Sequence, residues 1–154
     1  MFLASIAAAN SDTWATEFGK LSKTRPKDII SGRSLLRGES GGITFIGLLG
    51  AISGSLIIAI IGYFLNMNTS YLIIVFISGF LGSLFDSILG STLQTRFILK
   101  DGKTIKEEKV QNSYHYSGLL SINNNSVNFL CTLSAPIFFI LNLLAPDAIL
   151  YLNG

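Results

Sequence analysis

The sequence predicts an all-α bundle of about four membrane segments joined by two basic loops, and three observations carry that expectation. Of its 154 residues, 49% are hydrophobic and 13% are charged, half the share of about 25% found in soluble domains. All eleven Lys and Arg residues fall within residues 20–37 and 96–109. Between Ser40 and Thr95 the one charge is Asp86, and beyond Val110 it is Asp147. Bilayers exclude charge from their core and leave Lys and Arg in cytoplasmic loops. The expectation is therefore a multi-pass protein of the cell membrane with both basic loops cytoplasmic. Composition also excludes a disordered chain. A single cysteine, Cys131, excludes an intramolecular disulfide framework and a thiolate metal cluster.

The elements follow in order. Residues 1–21 are apolar as far as Ala9 and then carry Asp12 and Glu17. They lack the basic start and cleavage site of a signal peptide and read as the end of a membrane helix entering the cytoplasm near Gly19. Residues 43–65 are 23 uncharged positions, roughly 34 Å of helix against a hydrocarbon core of about 30 Å. Residues 71–95 form a second such run, and the short polar link 66–70 makes the two a helical hairpin. Residues 100–103 read as a solvated turn between short strands 97–99 and 104–106. His115 falls in a loop. Residues 119–144 are a third apolar run, opening on Asn123, Asn124 and Asn125, kinked at Pro136 and ended by Pro146.

Polar groups inside such spans are costly and mark candidate sites. Gly79, Gly82, Ser83, Asp86 and Gly90 are three and four residues apart, so they share one helix stripe. Small residues admit a neighbouring backbone, which turns Asp86 toward protein. The bland alternative is a carboxylate that serves packing. In the segment 10–19, Asp12, Thr16 and Gly19 share one face and Thr13 and Glu17 an adjacent one. A carboxylate followed by a hydroxyl suits a hard cation such as Mg²⁺. The alternative is a solvated interfacial helix end. Asp86-Ser87 repeats the Asp12-Thr13 pattern, and paired acids are what a divalent-metal phosphate site needs.

The loop Arg37-Gly38-Glu39-Ser40-Gly41-Gly42 leads into a helix, whose free amides beside basic side chains bind phosphate. A side chain at Gly41 or Gly42 is expected to block phosphate without unfolding the bundle. Glu39 argues for a simple cap instead. Asn124 and Asn128 are one turn apart and either bridge helices or hold a base or sugar, with Gln94 joining either role.

With these residues in view, the chain resembles the integral-membrane family that includes transmembrane protein nineteen and the plant phytyl-phosphate kinase. The segments 12–19, 41–44, 86–94 and 127–128 carry the likeness across essentially the whole chain. Asp12 to Gly19 also resembles, more distantly, the Asp-x-x-Ala-x-x-x-Gly segment of CTP-dependent polyprenol and phytol kinases. The resemblance implies a nucleotide-dependent kinase, with CTP as donor and Mg²⁺ as cofactor, that converts an isoprenoid lipid monophosphate to the diphosphate. It implies catalytic roles for Asp12, Asp86 and Glu17, with Asp12 and Asp86 holding the metal. Thr13, Lys20, Arg33, Arg37, Ser40, Gly41, Gly42, Ser87, Gln94, Asn124 and Asn128 would bind phosphate or nucleotide. Residues 1–154 are expected to form one integral-membrane domain lacking upstream helices of the full family unit. The expected partners are the nucleotide, the lipid phosphate and the bilayer, with no nucleic acid. Two other classes remain open, a transporter or permease subunit and a non-catalytic membrane scaffold.

Overall fold

A computed structural model of the chain describes residues 1–37, 39–100, 105–106 and 108–152. Four helices dominate it, α1 (Phe2–Lys20), α2 (Phe45–Phe64), α3 (Thr69–Thr92) and α4 (Asn124–Leu152). The first basic loop holds two short strands, β1 (Lys27–Asp28) and β2 (Gly42–Ile43), paired antiparallel. The second holds β3 (Arg96–Leu99), β4 (Ile105–Lys106) and β5 (Ser113–Ser117), an antiparallel ribbon in the order β4-β3-β5.

The spans Phe45–Phe64, Thr69–Thr92 and Asn124–Leu144 are long and apolar enough to cross a membrane, with mean hydropathies of 2.3, 2.2 and 1.9. The four expected membrane segments thus resolve into three such spans and α1, whose polar second half lowers its hydropathy. Yet α1 is central, touching each of the other three helices. Small residues explain how. Ala4, Ala7, Ala8 and Ser11 are buried. A Cβ on Gly79 would lie 2.5 Å from the Ala7 Cβ, and one on Gly82 2.7 Å from that of Ala8. On α2, a Cβ on Gly50 would lie 2.5 Å from the Trp14 carbonyl oxygen. No side chain fits at such separations, so these glycines bring whole backbones together. Asn10 Nδ2 then donates to the Gly54 carbonyl (2.7 Å) and Ser11 Oγ to that of Ala51 (2.8 Å), fixing α1 against α2.

The expected stripe on α3 faces protein, with Gly79, Gly82, Ser83 and Gly90 buried. On α4 the inward face is Val127, Cys131, Ser134, Ala135 and Phe139. Two expectations need correction. Pro146 does not end α4, which runs on to Leu152. Proline costs one amide and frees the carbonyl four residues earlier, a local loss that helices in membrane bundles tolerate. His115 lies in a strand, not a loop, because β5 pairs with the free edge of β3. The expected partner strand is present as β4, with Phe97 opposite Lys106. Its turn and Thr104 lie outside the described residues.

Both loops meet at one end of the bundle. The Thr95 amide donates to the Ile122 carbonyl (2.8 Å) and the Leu119 amide to that of Leu93 (2.9 Å), closing the base of the second loop. Arg96, from that loop, reaches the Ser40 carbonyl of the first (2.9 Å).

Candidate active site

Where the loops meet, the bundle opens into a cavity of about 760 Å³. Helix α1 lines it with Asp12, Thr13, Glu17 and Lys20, and α3 with Asp86 and Ser87. Arg37, Ser40, Gly41 and Gly42 come from the first loop, Gln94 from just beyond α3, and Asn124 and Asn128 from α4. The structure thus brings together every residue expected there except Arg33. The Arg33 guanidinium turns instead to Glu39, at 3.9 Å. Arg33 thus stands outside the cavity lining, paired within its own loop.

At the floor, Asp12 and Asp86 meet in hydrogen-bonding contact. The packing below explains why two residues so far apart in sequence converge. Ala8 and Gly82 touch, and each lies four residues, about one helical turn, before its aspartate. With its amide nitrogen turned toward Asp86, Asn128 donates to Asp86 Oδ1 and to the Asn124 carbonyl, both at 3.3 Å. Gln94 Nε2 lies 3.5 Å from Asn124 Oδ1 and extends the polar chain.

Two carboxyl groups this close cannot both stay ionised without a proton or a cation between them. The donor set suits a hard cation. The described residues hold no cluster of three His, Cys, Asp or Glu side chains. The chain would therefore supply two carboxylates and leave the remaining positions to phosphate oxygens and water, as Mg²⁺ sites commonly do.

The rim is different. Glu17 and Lys20 form an exposed ion pair three residues apart. Arg37 Nη2 donates to the carbonyls of Ser22 (2.9 Å) and Lys23 (3.4 Å). Glu39, which argued against phosphate here, is neutralised. Its Oε2 accepts from the Leu36 amide (2.9 Å), and its Oε1 faces Arg33 and, at 3.7 Å, Arg96. The helix start beyond the loop is capped, since Thr44 Oγ1 accepts from the Gly47 amide (3.0 Å). Gly41 has φ +78°, and a Cβ there would lie 2.5 Å from the Ser91 amide nitrogen. Its absence of a side chain serves packing on α3. The expectation that valine there would spare the fold is accordingly corrected.

Comparison with known proteins decides the family, since the pattern of integral membrane protein DUF92 matches residues 1–136. The chain belongs to that family. It is 33% identical over 147 residues to Protein PGR of Arabidopsis thaliana, covering 82% of this chain and 48% of the relative. It is also 33% identical over 100 residues to Uncharacterized membrane protein MJ0933 of Methanocaldococcus jannaschii, covering 65% and 42%. The chain thus spans about half the length of the curated relatives it matches. No solved structure matches it.

In this DUF92 member, two residues that the sequence did not single out, Arg96 and Asp28, brace the loop over the cavity. Arg96 is 3% exposed, and its Nη2 donates to the carbonyls of Ser40 (2.9 Å) and Gly90 (2.6 Å). Gly90 sits in the last turn of α3, where carbonyls lack helical partners and a cation is favoured. Asp28 is buried beneath the same loop. Its Oδ1 accepts from the Ser31 amide (2.7 Å) and hydroxyl (2.8 Å), and its Oδ2 from the Ser91 hydroxyl (2.7 Å). Burial alone would raise the Asp28 carboxyl. The bonds from Ser31, Ser91 and the Ile30 amide outweigh it and hold the group well below the usual carboxylate range. The signals were present but local. Asp28 three residues before Ser31 is a turn-capping pattern, and Arg96 follows a helix end.

Proposed function

We propose that this chain carries the phosphoryl-transfer site of a nucleotide-dependent kinase that converts an isoprenoid lipid monophosphate to its diphosphate, with CTP as donor. The observation that supports it is the meeting of Asp12 and Asp86 at the floor of a cavity whose rim carries Lys20 and Arg37. An oxygen of the lipid phosphate attacks the terminal phosphorus of the nucleotide. The bond from that phosphorus to the bridging oxygen breaks, and the nucleoside diphosphate leaves. Such a reaction asks for positioning and charge neutralisation rather than a protein nucleophile.

Asp12 and Asp86 would hold Mg²⁺, which when bound supplies charge neutralisation for the phosphoryl group. Lys20 and Arg37 attract the phosphates and orient them. The hydroxyls of Thr13, Ser40 and Ser87 and the backbone at Gly41 and Gly42 line the same space. The amides of Gln94, Asn124 and Asn128 offer donors and acceptors to the nucleotide. A permease reading gains less support, because the cavity is confined to one end of the bundle. In the same reading, both loops face the cytoplasm, where nucleotide is available.

The test is transfer of label from the terminal phosphate of CTP to a prenyl monophosphate by the purified protein in nanodiscs, with and without Mg²⁺. Metal-dependent formation of the labelled diphosphate is expected. Absence of both transfer and nucleotide binding overturns the reading.

A further inference from the structure

The cavity wall carries two chemistries, and they come from different helices. Helices α1 and α3 pack on each other, and each packs on both α2 and α4. No comparable contact joins α2 to α4 among the described residues. The seam between α1 and α3, where Asp12 meets Asp86, therefore has α2 on one side and α4 on the other. On the α4 side the lining is Gln94, Asn124 and Asn128. On the α2 side it is Leu48, Ala51 and, from α3, Leu84. Leu84 shares a face of α3 with Ser91, two turns on, whose hydroxyl donates to Asp28 in the loop that leads into α2.

Farther from the loops, α2 and α3 close on each other. A Cβ on Gly79 would lie 3.2 Å from the Ser55 Cβ, and one on Gly62 2.5 Å from Leu72 Cδ2. Toward the loops that contact gives way to the cavity, which the half-buried Leu48 and Leu84 border. The wall begins beside the carboxyl pair. The Ala51 carbonyl accepts from Ser11, the residue before Asp12, and Leu84 is two residues before Asp86.

The two walls also differ in depth. Gln94 lies beyond the end of α3, and Asn124 begins α4, so these amides stand at the water end of the spans. Leu48 and Ala51 lie about 6 and 10 Å past the Thr44 cap, inside the apolar span Phe45–Phe64. Apolar surface is stabilised by hydrocarbon and not by water. Of the two reactants in the proposed transfer, only the acceptor carries a hydrocarbon chain, and it resides in the bilayer beside this wall.

We propose that Leu48, Ala51 and Leu84 seat the first part of the acceptor's hydrocarbon chain, so that the α2 side selects the acceptor and the α4 side the nucleotide. This seat rests on the phosphotransfer reading, to which it adds a specificity determinant for the acceptor.

Leu48→Gln and Leu84→Gln, made separately, are compared with the parent in nanodiscs. Each should raise the KM for geranylgeranyl monophosphate about tenfold or more, the worth of burying one leucine side chain. Turnover at saturating acceptor and affinity for CTP should hold, which also shows that the variants are folded. Leu48→Met, which restores apolar bulk, should recover the parent KM. Photolabelling with a prenyl monophosphate that carries a diazirine in its first isoprene unit needs no transfer. The label should fall on α2 and α3 and not on α4. Label there from a protein that neither transfers phosphate nor binds CTP would end the kinase reading and leave the seat standing. Weakened CTP binding with an unchanged acceptor KM would put the base on this wall and overturn the proposal. An acceptor KM unchanged in both variants, or label confined to α4, would overturn it as well.

Discussion

The seam under the first loop and the floor of the cavity both take charge out of water, and they are built in opposite ways. In the seam, Arg96 meets Glu39 and two carbonyls, and Asp28 meets two hydroxyls and two amides. At the floor, two carboxyl groups are set against each other. Compensated charge fastens one element to another. Like charges brought together oppose folding and are retained where a ligand supplies the missing charge. On the proposed reading the seam holds and the floor binds, and substitutions can break or sharpen that contrast.

The largest effect is expected at Arg96. Arg96→Met leaves the buried Glu39 carboxylate short of a cation and strips the Ser40 and Gly90 carbonyls of their donor. Breaking a buried pair from one side costs about 3–5 kcal/mol, so thermal unfolding in detergent should move to markedly lower temperature. Adding Glu39→Gln should recover part of the loss. A midpoint unchanged in Arg96→Met would mean that the seam does not hold the loop.

At the floor the order of effects should reverse. Asp86→Asn and Asp12→Asn keep shape while removing a charge, and each should lower phosphotransfer by about 10²-fold or more, as loss of a transition-state electrostatic contact does. Stability should hold or rise, because repulsion between the two groups is relieved. Mg²⁺ should raise the unfolding temperature of the parent and not of Asp86→Asn. A fall in stability matching that of Arg96→Met would make Asp86 a packing residue and erase the contrast.

The sequence makes the floor more legible than the seam, for a physical reason. Spacing of three and four places Gly79, Gly82, Ser83 and Asp86 on one stripe, and charge in an apolar span stands out against its surroundings. That was enough to bring Asp86 toward protein and pair it with Asp12. Arg96, by contrast, sits in a stretch of five basic residues, and nothing local marks it as the buried one. Its partners lie on Ser40 and Glu39, far back in the chain. Gly41 was misjudged likewise, because a glycine near basic residues looks the same whether phosphate or Ser91 lies against it. The hydropathy of α1 gave its boundaries but not its central place, which depends on glycines in α2 and α3.

A smaller effect separates the seam's acid from the floor's. Asp28 has a folded-state pKa depressed below its unfolded value of about 3.9. Its stabilisation is therefore complete above the unfolded value and is lost as pH falls below it toward the folded one. The parent should lose stability on acidification through that range, and Asp28→Asn should show a flatter dependence. At neutral pH the variant should be weaker by about 1.5–3 kcal/mol, the worth of a hydrogen bond to a charged group. Equal slopes for the two proteins would remove Asp28 from the seam.

The smallest effect is expected at the rim, where Glu17 tests the boundary of the binding region. Its carboxylate is exposed and tied to Lys20 three residues on, a pairing that contributes little to stability at a solvated helix end. Glu17→Gln should thus leave the unfolding temperature unchanged, unlike any change in the seam. It also removes a negative charge from the cavity mouth and releases Lys20 toward an incoming phosphate. On that account nucleotide binding should tighten slightly, with a steeper dependence on salt because the freed lysine acts through solvent. If Glu17 instead acts on the reacting groups, as the family resemblance implies, turnover should fall as far as it does in Asp86→Asn while binding holds. Measuring nucleotide affinity and turnover on the same variant separates the two outcomes. The second would extend the machinery of the floor by more than one helical turn along α1, from Asp12 to the rim.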